Sequence, residues 1–255
     1  LMSSLIYKKG ITKLTFAVSA YGLDKDFQRA AIVSLKRYAA SLVPSKVHFI
    51  NKDLSQNPAT AALLGQKVIE KGVELVVFNQ GTDYYIGYTT WVQDIASYTK
   101  RDIDKPKRNM KVGMLPPKLA QTLINLIPGG RGVEVIWDPF VGLGTIPMEA
   151  LLLGRHVISS DHNERMVSAT EGNISWIKKI YRLPEELLSE AFVKDVAKLD
   201  MLPNLLSMGR SAIVTEGYLG ENYTATARKE DALEQLKAVA ELYGAFFQNL
   251  NEMGY

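Results

Sequence analysis

The sequence predicts an α/β protein: a parallel sheet wound with helices in the second half, preceded by a smaller α/β domain. Three observations carry that expectation. Apolar, β-rich runs alternate with stretches of helical period along most of the 255 residues, the pattern of strand–helix–strand crossovers. A glycine turn, Asp-Pro-Phe-x-Gly-x-Gly-Thr at 138–145, follows one strand and opens a helix. Three successive strands of that half end in an aspartate, Asp138, Asp161 and Asp195.

In order along the chain, "ITKLTFAV" (11–18) reads as a strand. The next segment, "DFQRAAIVSLKRYAASL", places Phe27, Ala31, Leu35, Tyr38 and Leu42 on one face at spacings of three and four, an amphipathic helix. "KVHFI" is a short strand. "PATAALLGQKVIEKG" is a helix with Pro58 near its start and Gly72 at its C-cap. "VELVVF" and "YYIGYTTWV" are strands parted by the turn-forming "NQGTD". The second half then runs "EVIWDPF", a helix from Thr145, "HVISSD", a helix from Glu164, "AFVKD", a connector, "SAIVTEG" and a long last helix. That helix carries Leu233, Leu236, Ala240, Tyr243, Phe247 and Leu250, broadened by Val239, Leu242 and Phe246, so a well-buried stripe is expected.

Composition narrows the chemistry. Hydrophobic residues at 47% and charged residues at 22% suit a soluble globular chain with a core. There is no cysteine, which removes disulfides, zinc–thiolate sites and thiol nucleophiles. Three scattered histidines give no metal cluster, and no metal is expected. No apolar run has membrane-spanning length, and no signal peptide opens the sequence, so a cytoplasmic address is the default. The net charge of +3 permits a nucleic-acid partner without requiring one. Leu1 precedes Met2, and the chain closes on an apolar helix with no strand after it. It therefore reads as a piece of a longer protein.

Between Lys100 and Lys111, "KRDIDKPKRNMK" sets six basic residues against two aspartates. The run reads as a solvated basic linker; the alternative is phosphate contact beside a site. The division expected is 1–99, a linker at 100–111, and 112–255.

The glycine turn is neither of the common phosphate cradles. A dinucleotide turn needs a third small residue where Pro147 stands, and no Gly-Lys pair exists to make a P-loop. Glycines let backbone approach a ligand closely. A ligand with a cationic amino group, a ribose and an adenine suits the acidic strand tips better than a pyrophosphate: Asp138 beside the turn, Asp161 placed for ribose hydroxyls, Asp195 and Val196 for the adenine. The plain alternative is that such aspartates cap the next helix. Three in succession around this turn favour a ligand.

"DPFVGLGTIPMEALLLG" with "SSDHNERMVSATEGN" resembles motifs I and II of class I S-adenosylmethionine-dependent methyltransferases. "YYIGYTTWVQDIASYTKRDIDKPKRNMKVGMLPPKLAQTLINLI" is similar to the junction between THUMP and catalytic domains in RNA guanine-N2 methyltransferases, such as those acting on guanine 10 of tRNA. The resemblance implies a Rossmann-like methyltransferase domain with an incomplete parallel sheet, behind a THUMP-like RNA-binding domain lacking its N-terminal part. It implies S-adenosylmethionine as cofactor, held by Asp138, Pro139, Phe140, Gly142, Gly144 and Thr145. Asp161 and His162 would lie at the ribose, Asp195 and Val196 at the adenine. Pro116, Pro117 and Lys118 match the segment leading into the site. The expected partner is tRNA or another structured RNA. A second copy or a partner chain is expected to cover the open sheet edge.

Methylating an exocyclic amine requires the nitrogen lone pair to be freed from the ring and aimed at the methyl group. A carboxylate and a carbonyl that accept its N–H bonds do this, with an aromatic ring stacked on the base. The family carries Asp-Pro-Pro-Tyr or Asn-Pro-Pro-Tyr after its fourth strand. Here the segment is "IVTEGYLG": Glu216 replaces the acid, Gly217 and Tyr218 replace the prolines, and Leu219 stands at the aromatic position. Glu216, Gly217 and Tyr218 are the candidate catalytic residues. Two rivals remain: a DNA amine methyltransferase, and a catalytically silent RNA-binding or partner protein.

Overall fold

The computed structural model describes residue 4 and residues 13–42, 47–109, 114–220 and 228–255. Residues 11–12 of the first expected strand, residue 46 of the second, and 110–113 of the basic run and junction lie outside them. The chain forms two compact units, Leu1–Ala96 and Ser97–Tyr255. No helix among the described residues is long and apolar enough to cross a membrane.

The first unit holds a four-stranded sheet of order β2-β1-β3-β4. Its central β1 (Thr15–Tyr21) is parallel to β2 (His48–Phe49) and β3 (Gly72–Gln80); β4 (Asp83–Tyr88) pairs antiparallel to β3. Side chains of β1 alternate between two faces. Phe16 and Val18 pack with Ile32 and Ala39 of α1 (Lys25–Leu42), and Ala17 packs with Leu63 of α2 (Thr60–Gly65) and Val68 of α3 (Val68–Lys71).

Two expectations change here. The buried stripe of α1 is Gln28, Ile32 and Ala39; Leu35 and Leu42 of the expected face pack partly buried against the same core, while Phe27 and Tyr38 are exposed. Phe27 stacks on Tyr84 of β4, at 5.8 Å between centroids. The single helix expected over 58–72 breaks at Lys67, which adopts a left-handed φ of 52° and divides α2 from α3. Gly72 does stand at the C-cap of α3, in an extended conformation that starts β3, where a Cβ would overlap the Thr15 carbonyl of β1.

The second unit begins within α4 (Ile95–Ile103) and continues through α5 (Pro117–Asn125). It is built on the parallel sheet β7-β6-β5-β8, comprising β5 (Val135–Asp138), β6 (His156–Asp161), β7 (Ser189–Val193) and β8 (Ser211–Ile213). Ile136 and Val157 face one side and pack on Ala120 and Ile124 of α5, Met148 of α6 (Thr145–Leu152), and Ile174 and Ile177 of α7 (Glu164–Tyr181). Val135, Trp137 and Ile158 face the other side, against Leu205, Leu206 and Phe246 and Leu250 of α8 (Lys229–Glu252). This three-layer arrangement, helices on both faces of a parallel sheet, is a Rossmann-like α/β architecture.

The last helix is less buried than its pattern suggests. Phe246 and Leu250 are in the core, but Leu233 (50%), Leu236 (64%) and Phe247 (62%) are exposed. Only the C-terminal half of α8 packs on the sheet, so the apolar stripe outruns the surface it meets. β8 is also shorter than "SAIVTEG": after Ile213 one more ladder-like bond, Val214 N to Trp137 O at 2.9 Å, precedes the loop.

Candidate active site

The chain runs outward from β5 through β6 to β7, then returns to the other side of β5 for β8. Open α/β sheets bind ligands at such a reversal, beyond the carboxyl ends of the strands. Asp138 ends β5, Asp161 ends β6, and Glu216 follows β8, so the topology brings all three to this place.

The turn after β5 is held from behind. Gly142 (φ 53°) and Gly144 (φ 79°) both occupy the left-handed region where a side chain is strained. Their surroundings differ. A Cβ on Gly142 would meet nothing within 4 Å, leaving room for a ligand; on Gly144 it would press on Thr170 at 3.0 Å. Thr170 Oγ1 donates to Gly142 O (2.9 Å), and Asn173 Nδ2 donates to Leu143 O (2.9 Å). Pro139 and Thr145 are buried, and Thr145 opens α6 directly after Gly144.

Asp138 is 3% exposed and accepts from Phe140 N at 3.2 Å and from the Thr215 hydroxyl. Burial, with the nearby charges of Asp161 and Glu216, raises its pKa to about 7. Asp161 accepts from Gly142 N (3.0 Å) through Oδ2 and from Asn163 N (2.9 Å) through Oδ1. The exposed His162 ring places Nδ1 3.2 Å from Asp161 Oδ1. Among the described residues, no lysine or arginine pairs with Asp138, Asp161 or Glu216. The acidic groups here thus have, among the described residues, only the His162 ring beside Asp161 as an ion-pair partner.

Asp195 and Val196 stand apart in character. Asp195 Oδ1 accepts from Ala197 N (3.0 Å), capping a short 3-10 turn, and Lys198 lies 3.6 Å from its other oxygen. Val196 is 4% exposed in the core beside Trp137, and its carbonyl accepts from Asn249 Nδ2 at 3.1 Å. The Val196 side chain is thus packed into the core. Pro116 and Pro117 form the N-terminus of α5, with Pro117 buried.

The loop after β8 is tied to the turn. Gly217 N donates to Thr215 Oγ1 at 3.0 Å, and the same hydroxyl bonds Asp138. Glu216 is exposed, Tyr218 presents 39% of its surface, and Leu219 is 77% exposed. A carboxylate and an accessible aromatic ring therefore occur side by side.

The basic run is not a solvated linker throughout. Arg101 is buried, and its Nε donates to Glu149 Oε1 of α6 at 2.6 Å; Gln121 Nε2 donates to Glu149 Oε2 at 2.6 Å. Lys105 is 2% exposed and donates through Nζ to Thr145 Oγ1 at 3.0 Å, and burial holds it below the usual lysine range. Asn173 grips the backbone of Lys107 from both sides, accepting from its N–H (2.9 Å) and donating to its carbonyl (3.0 Å). The segment is a strap on the turn and on the start of α6.

Sequence reasoning missed Thr170, Asn173, Thr215, Lys105 and Tyr243. One signal existed: Thr170 and Asn173 are polar residues inside the buried stripe of α7, alongside Val167, Ile174 and Ile177. Buried polar groups without a partner are costly, so polar residues there mark something needing to be held.

Residues 106–214 match the family model described as RMKL-like, methyltransferase domain. Two curated relatives are tRNA (guanine(10)-N2)-dimethyltransferases. The one from Methanothermobacter thermautotrophicus is 42% identical over 62 residues, 24% of this chain and 18% of the relative. The one from Methanocaldococcus jannaschii is 30% identical over 134 residues, 52% of this chain and 37% of the relative. The chain thus spans well under half the length of these relatives. Among solved structures, TrmN from Thermus thermophilus aligns over 97% of this chain and 60% of its own, at 17% identity and a TM-score of 0.48.

Proposed function

We propose, from the methyltransferase-domain match over residues 106–214, that the chain serves S-adenosylmethionine-dependent methylation of an exocyclic amine, on a guanine of tRNA. The observation that carries this reading is the group Asp138, Asp161 and Glu216 around an open glycine turn, with no lysine or arginine paired to it among the described residues. A ligand carrying positive charge fits such a donor set, and a phosphate does not. The curated relatives named for tRNA guanine-N2 dimethylation support the substrate.

The cofactor, when bound, supplies an electrophilic methyl group on a sulfonium. Asp138 and the turn from Pro139 to Thr145 would hold its cationic portion, and Asp161 with His162 its ribose. Asp195, whose Oδ2 lies 3.6 Å from the exposed Lys198, would meet the adenine edge. Glu216 and the Gly217 carbonyl would accept the two N–H bonds of the acceptor amine, directing its lone pair outward, while the Tyr218 ring stacks on the base. The same reading places the protein in the cytoplasm. Calorimetry with S-adenosylmethionine, then methyl transfer to bulk tRNA and to duplex DNA, tests the reading. Binding with transfer to tRNA supports it; transfer to DNA, or binding without any transfer, overturns the substrate or the activity respectively.

A further inference from the structure

The final helix reaches into the acceptor loop through one side chain. Tyr243 of α8 donates its hydroxyl to the Tyr218 carbonyl at 3.2 Å. Its ring packs on Phe140 of the glycine-turn loop, at 5.6 Å between centroids and 43° between planes. Phe140 packs in turn edge-on against Phe246, at 5.8 Å and 84°. One residue therefore touches both halves of the site.

Gly217 lies directly under that hydroxyl. Its φ of 77° is in the left-handed region, and a Cβ built there would overlap Tyr243 Oη, with the ring Cζ at 3.1 Å behind it. Proline, fixed near −65°, cannot take this backbone. The rigid Pro-Pro clamp of the resembled family is thus incompatible with this loop, and Gly217 with Tyr243 occupies its place. Partial burial holds the phenol above its ordinary range, so it remains a donor.

We propose that Tyr243 is a positioning residue for amine methylation: its hydroxyl pins the Tyr218 carbonyl and, through a matched contact with Gly217, fixes where the Glu216 carboxylate and the Gly217 carbonyl face the acceptor. This rests on residues 215–218 being the acceptor loop. With the Tyr218 carbonyl already bonded to Tyr243, the Gly217 carbonyl is left as the second acceptor for the amine. The substrate class that fits is a planar base stacked on Tyr218, with its amino group directed to that pair.

Two measurements on the whole chain decide it. Tyr243→Phe removes one oxygen and keeps the ring on Phe140. Affinity for S-adenosylhomocysteine should stay within about twofold, while kcat for transfer to tRNA falls about ten- to a hundredfold, the scale of a displaced reacting group. A part that only holds the fold would not separate the two. Gly217→Ala should lower the unfolding midpoint strongly in the wild type and less in Tyr243→Phe, where the nearest atom becomes Cζ. Unchanged kcat in folded Tyr243→Phe, or an equal effect of Gly217→Ala in both backgrounds, overturns the proposal. If the wild type binds S-adenosylhomocysteine but transfers nothing to tRNA, the proposed function fails, and the unfolding cycle alone decides the Gly217–Tyr243 pairing.

Discussion

The Thr215 hydroxyl bonds the Asp138 carboxyl and, in the same position, accepts the Gly217 N–H at 3.0 Å. The acid at the glycine turn and the backbone of the loop after β8 thus share one oxygen. Thr215→Val keeps the shape and removes that oxygen, leaving Asp138 and the Gly217 amide each short of a partner. Stability in denaturant should fall by about 1–3 kcal/mol, and the pKa of Asp138 should rise further. An unaltered midpoint would show that water replaces the hydroxyl.

The raised pKa of Asp138 gives a signed pH dependence. Its carboxyl titrates at about 7 in the folded chain, chiefly through burial, against 3.8 for the ordinary group. Between these values the folded state keeps a proton that the unfolded chain gives up. This contribution to stability is complete below the unfolded value and is lost as pH rises through about 7. Asp138→Asn should gain stability over the wild type as pH rises across that window. A positively charged ligand favours the ionised form, so binding below about pH 7 should release a proton. Calorimetry in buffers of different ionisation enthalpy reads this directly; identical heats would contradict the placement of positive charge beside Asp138.

Arg101 and Glu149 supply a test of the strap. Burial raises Glu149, and Arg101 with Gln121 opposes that. Removing one partner leaves a buried charge, an effect of about 3–5 kcal/mol. Arg101→Met should therefore destabilise strongly, and Arg101→Met with Glu149→Leu should recover part of the loss. A single variant as stable as wild type in denaturant would return residues 100–109 to the role of a solvated linker.

The order of strands and helices was legible because its signals are local. "HVISSD" is apolar and bounded, and it forms β6 over His156–Asp161 as quoted. The glycine turn was legible because its backbone needs glycine. What escaped depends on distant partners. Lys105 and Arg101 look solvated in a charged run, and nothing nearby in sequence announces Thr145 or Glu149. The apolar stripe of α8 continues past the sheet it meets, so periodicity alone overstated its burial. The helical stripe counts Tyr243 as core, whereas its hydroxyl serves a loop 25 residues earlier.

Asp161 joins the turn and the expected ribose position, since its Oδ2 already accepts from Gly142 N at 3.0 Å. Asp161→Ala should weaken S-adenosylmethionine binding by about 1.5–3 kcal/mol, the range for a lost charged hydrogen bond. Equal affinity in a folded variant would remove Asp161 from the site.

Glu216 carries the central claim that an amine is methylated beside this loop. Glu216→Gln preserves shape and exchanges one accepting oxygen for a donor. The most direct measurement gives the wild-type chain and this variant methyl-labelled S-adenosylmethionine with bulk tRNA, followed by digestion to nucleosides. The account predicts label in guanosine methylated on its exocyclic nitrogen for the wild type. In the variant, transfer should fall by about two to three orders of magnitude at unchanged cofactor affinity. Label on a ring nitrogen or a pyrimidine carbon, or equal transfer by the two proteins, would contradict it.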